Sequence, residues 1–187
     1  MHPARHRALR ELGAFSRQMA GHWGGLAGKF DDSPPGEVLR DGAQAAGDIV
    51  DELRAHARAR DLEVGPAALQ VAGRVARARP LAPDGALERN QALRFALLDA
   101  QHVLTLVDYL AELALADEDA EGHAACAAWA ARLRPIERNM RRHAVDLGKH
   151  PDTAVEPISV AHKLQYAIGW IGEATDRLRR PRGGPRT

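Results

Sequence analysis

Between Asp84 and Ala116, Leu93, Leu97, Leu104, Val107 and Leu110 recur at helical spacing, and Phe95, Leu98, Leu106, Tyr109 and Leu113 form a second apolar stripe beside the first. Residues three and four apart share one side of an α-helix, whereas a half-buried strand alternates every second residue. The stripes fit the helical period. A helix apolar on two neighbouring faces is expected to sit centrally, with partners on both sides.

The remaining chain follows the same period. Alternating β-branched runs are absent, aromatics are 4%, and Ala, Leu, Arg and Glu dominate, all of them good helix formers. Pro and Gly cut the sequence into pieces. A first helix is expected from about Pro3 to Lys29, with Leu9, Leu12, Met19, Trp23, Leu26 and Phe30 on one stripe and Gly24-Gly25 bending or fraying it. The run DDSPPGE is a loop that caps a second helix, about Pro35 to Arg60, with Leu39, Ala43, Ala46, Ile49, Val50, Leu53 and Ala57 turned inward. A short helix follows over about Ala67 to Arg77. The long helix to Ala116 comes next, then one from about Glu118 to Leu147, facing in with Trp129, Leu133, Ile136, Met140 and Leu147. Pro135 is expected to kink or split it. A last helix is expected from about Ile158 to Arg180.

The architecture implied is all-α: an up-and-down bundle of four long helices, a short helix and a C-terminal helix, forming one domain over residues 1–180. The end, RRPRGGPRT, is rich in Gly, Pro and Arg, and residues 181–187 are expected to be a disordered tail. No repeat of 34 or 40 residues marks a solenoid.

Composition excludes several functions. Hydrophobic residues at 45% and charged residues at 27% over 187 positions describe a globular chain able to bury a core. Lys and Arg number 26 against 25 Asp and Glu, a formal net charge of +1. Bulk charge therefore gives no attraction to nucleic acid or an anionic membrane, and such a partner needs a local patch. Cys126 is the only cysteine, so an internal disulfide and a Cys-based zinc cluster are both excluded. Set among alanines in AACAAWAA, it reads as a small packing position. Charges throughout MHPARHRALRELGAF argue against a signal peptide. Asp99, Gln101, His102, Asp108 and Glu112 interrupt the longest apolar region, so no membrane span is expected and the cytoplasm is the default location.

Three constellations carry chemistry. The first lies in LRPIERNMRRHAVDLGKH, where Arg138 and Asn139 precede His143. This six-residue run resembles the R-N-x-x-x-H signature of the HEPN family, small all-helical domains many of which are metal-independent ribonucleases. The resemblance implies a dimer that cleaves RNA through the 2′-hydroxyl, with Arg138 and His143 at a composite site and Asn139 positioning. Arg can hold a phosphate bidentately and His can move a proton. The same run also reads as the solvated flank of an amphipathic helix.

The second is a metal reading, since helical bundles often build carboxylate and His sites from facing helices. The di-iron pattern of ferritin-like bundles needs Glu-x-x-His, and no Glu here has a His three residues later. Asp99 and His102 at i,i+3 share one helix face and could hold a divalent metal, joined by His143 or His162. Glu52 with His56 and His143 with Asp146 are weaker pairs of the same kind. The plainer reading of Asp99 and His102 is a hydrogen-bonded pair in the core.

The third is the last helix, where His162, Tyr166, Gly169, Trp170 and Glu173 recur at helical spacing and could hold a small molecule or a partner helix. Trp and Tyr there also serve ordinary packing. Ser16, Ser33 and Ser159 sit in no nucleophile context, and no glycine-rich phosphate loop follows a strand. Five arginines from Arg177 onward lack the interleaved aromatics of a nucleic-acid surface.

These groups do not converge on one catalytic pattern. The expectation is therefore a non-catalytic bundle that binds a partner protein or small ligand through helix faces, as a homodimer or with another chain. HEPN-like RNA cleavage and ferritin-like metal binding are the alternatives.

Overall fold

The computed structural model describes residues 1–59 and 87–158. Four long helices make up most of it: α1 (Pro3–Phe30), α2 (Pro34–Ala59), α3 (Arg89–Ala116) and α4 (Ala120–Asp146). A single 3-10 turn (Leu147–Lys149) and a one-turn helix, α5 (Pro151–Ala154), close the described chain. Among the described residues there is no strand. One isolated antiparallel bridge pairs Glu88 with Pro157, where Arg89 N–H donates to Glu156 O and Ile158 N–H to Leu87 O. The all-α bundle expected from the periodicity is what the structure shows. The short helix over 67–77, the helix after Ile158 and the tail at 181–187 lie outside the described residues.

The caps explain where the helices begin. Pro3 occupies the first turn of α1, and the His2 ring accepts from Ala4 N–H at 3.1 Å. Three residues, Asp31 to Ser33, join α1 to α2; Gly36 N–H donates to Ser33 Oγ at 3.4 Å. The long central helix begins at Arg89, not Asp84: Glu88 is extended and engaged by the bridge, Leu87 O accepts from Ile158 N–H, and Glu88 N–H donates to Gln91 Oε1 at 3.3 Å. Between α3 and α4, Glu118 takes a left-handed backbone (φ 54°) that lets the chain reverse within Asp117–Asp119.

Both α1 and α4 run unbroken through the residues expected to interrupt them. α1 continues through Gly24-Gly25 to Phe30 because Trp23, Leu26, Ala27 and Phe30 are all buried and hold the second half down. Pro135 does not split α4. Pro135 and Ala131 are both exposed, so the carbonyl that loses its intrahelical donor faces water.

The packing order around the bundle is α1, α2, α4, α3 and back to α1. Neighbours run antiparallel. Along the α1–α3 seam, Arg5 meets Asp117 and Asp119, Phe15 meets His102, and His22 meets Asp99, so one helix number rises as the other falls. The core is filled by Leu12, Met19, Trp23, Leu39, Ile49, Leu93, Val107, Leu110, Leu133 and Met140, among others. Trp23 anchors it: the indole is fully buried, its ring lies over Gly42, and Nε1–H donates to Ala96 O at 3.2 Å. Gly42 is needed there because a Cβ would collide with the ring.

Candidate functional site

The first apolar stripe of α3 packs into the core, and the second does so only at Leu106 and Leu113. Leu93, Ala96, Ala100, Val103, Val107 and Leu110 face the core, and Leu106 joins them. Phe95, Leu98 and Tyr109 of the second stripe instead face solvent, 40%, 46% and 49% exposed. The partners expected on both sides of this helix are present, α1 on one and α4 on the other. Among the described residues, neither α1 nor α4 buries the side that carries Phe95, Leu98 and Tyr109.

The open side is one continuous stripe. Phe95, Leu98, His102, Thr105, Tyr109 and Glu112 follow one another three or four residues apart, and all are exposed. Arg94 stands beside its first residue and is exposed too. A half-open cleft of about 600 Å³ adjoins this end, its described lining Leu87, Gln91, Arg94, Phe95, Leu97 and Leu98. Among its described lining residues, the Gln91 amide and the Arg94 guanidinium are the polar side chains.

A polar seam runs behind the stripe, between α1 and α3. His22 Nδ1 lies 2.5 Å from Asp99 Oδ2, with Asp99 buried and His22 half-buried. Two turns earlier on α1, Phe15 receives the His102 ring edge-on at 4.2 Å between centroids. Asp99 thus finds a His across the seam, on α1, while its sequence neighbour His102 packs against an aromatic ring. Among the described residues no group of three or more His, Cys, Asp or Glu could hold a metal ion. The sequence did carry a signal for His22: it follows Phe15 by seven residues, which places both on one face of α1.

The HEPN-like run lies on the last turns of α4. Arg138 is exposed, Asn139 and His143 are half-buried, and the helix places Asn139 and His143 one turn apart. Among the described residues no hydrogen bond joins any two of these three. Asp146 is engaged by Lys149 at 2.8 Å, a bond that holds its carboxyl below the usual range. His162, Tyr166, Trp170 and Glu173 lie outside the described residues.

Glu52, paired with His56 in the sequence reading, instead ties α2 to α4. It accepts from Trp129 Nε1–H at 2.6 Å and from Arg132, which holds its carboxyl below the usual range. Cys126 is buried, and burial pushes its thiol up to about 11. It therefore stays a neutral packing group, not a nucleophile. No helix among the described residues is long and apolar enough to cross a membrane. No protein-family model, curated protein or solved structure matches the chain.

Proposed function

We propose that the chain is a non-catalytic helical bundle that binds a protein partner through the open side of α3. The observation that carries this reading is the shared exposure of Phe95, Leu98 and Tyr109 on one stripe of a helix packed on its other sides. Single exposed apolar residues are ordinary, but large ones aligned on one face mark an interaction surface. Aromatic side chains contribute most to such contacts because they bury much area at little conformational cost. Spacing of three, four and seven residues suits an apposed helix, whose side chains insert between those of α3. The cleft beside Phe95 and Leu98 offers a hole for one such side chain, with Arg94 and Gln91 among its lining.

The test is photo-cross-linking of the chain with p-benzoylphenylalanine in place of Tyr109, and in a control in place of Arg7, which is exposed on α1. The expected result is a discrete adduct at Tyr109 alone, identified by mass spectrometry, that unlabelled chain competes away and unlabelled Leu98→Asp does not. Equal cross-linking at both positions, or none at either, overturns the reading.

A further inference from the structure

Resting on that reading, we infer that the partner is a second copy of this chain, its α3 laid antiparallel on the first about a two-fold axis near His102. Charge carries the inference. Arg94 and Glu112 stand at opposite ends of the exposed stripe, about five helical turns apart. Both are exposed, and among the described residues neither makes an ion pair. Asp108, one turn before Glu112, is engaged by Arg134 at 2.7 Å.

A two-fold rotation exchanges the ends of the stripe. Arg94 of each copy then faces Glu112 of the other, so one kind of contact is made twice. The Phe95–Leu98 end of each copy meets the Tyr109 end of the other, which brings each Tyr109 to the cleft lined by Leu87, Phe95, Leu97 and Leu98. A parallel pairing puts Arg94 against Arg94 and Glu112 against Glu112, which repels at both ends. The antiparallel arrangement is closed: both apolar stripes are covered, and no sticky face remains to recruit a third copy.

The experiment is sedimentation equilibrium of the full chain and two charge reversals, Arg94→Glu and Glu112→Arg, at exposed positions where folding is indifferent. The wild-type chain is expected to dimerise, and each reversal alone to raise the dimer Kd about tenfold by placing like charges together. An equimolar mixture of the two variants is expected to recover tight pairing as a heterodimer, because both end contacts of the mixed pair again join an acid to a base. A mixture no tighter than either variant alone overturns the antiparallel register. A wild-type chain that stays monomeric overturns the second copy; if the Tyr109 adduct then contains a different protein, the docking reading survives, and if there is no adduct, both fall.

Discussion

Trp129 donates its indole N–H to the Glu52 carboxylate at 2.6 Å, closing the seam between α2 and α4. Arg132 reaches the same carboxylate at 2.8 Å. The bond from Arg132 is the largest cause of the lowered Glu52 pKa, with the Trp129 bond adding to it against the cost of burial. A carboxylate whose pKa is lowered on folding adds stability above its unfolded pKa and loses it as pH falls through the folded value. Glu52→Gln keeps an acceptor for Trp129 but removes the charge that Arg132 meets. Its melting temperature is expected to lie about 1–3 °C below the wild type near neutrality, since the pair is solvent-screened. The gap should narrow once pH falls below the ordinary Glu range of about 4.3 and close only below the lower value that Arg132 imposes in the folded chain, where the wild-type carboxyl is itself protonated. Melting curves across that range check it; a gap that persists in acid means packing, not charge, is at work.

Gly42 and Gly24 should respond in opposite senses to the same change. A methyl at Gly42 meets the buried Trp23 ring, whereas one at Gly24 meets nothing within 4 Å. Gly42→Ala is expected to destabilise by about 1–3 kcal/mol through overpacking. Gly24→Ala, in the middle of an exposed helix face, is expected to stabilise by about 0.5–1 kcal/mol. Urea unfolding of the two variants decides both, and equal signs would contradict the placement of Trp23 over Gly42.

Ser16 is fully buried on α1 between Leu12 and Met19, and its hydroxyl has no hydrogen-bond partner among the described residues. A buried hydroxyl that gives up water without a substitute costs about 1–3 kcal/mol. Ser16→Ala removes that cost and leaves little void, so the melting temperature is expected to rise by several degrees. A fall on substitution would show that the hydroxyl has a partner in solution.

The helices were legible because their signals are local. The spacing of Leu12, Met19, Trp23 and Leu26, and the Pro and Ser near residue 34, place α1 and α2 to within a residue of their observed ends. The start of α3 was not legible, since it depends on the pairing of Leu87 and Glu88 with residues 156–158, far off in sequence. Nor was the fate of the second α3 stripe. Periodicity says that Phe95, Leu98 and Tyr109 share a side, not that a neighbour covers it. Asp99 on an apolar helix face signals a polar residue in need of a partner, but local spacing points to His102, three residues on, and cannot reach His22 on another helix. The Arg138, Asn139 and His143 run is intact on the last turns of α4, as the sequence pattern places it.

The most direct test of the docking face is the thermal stability of Leu98→Asp in dilute solution, set beside Leu93→Asp. Leu93 is fully buried and Leu98 is 46% exposed, although they stand five residues apart on one helix. If the open side of α3 lies outside the core, Leu98→Asp should melt within about 2 °C of the wild type while losing the Tyr109 cross-link, and Leu93→Asp should not fold. A Leu98→Asp chain that unfolds as readily as Leu93→Asp would place this side inside the core and contradict the account.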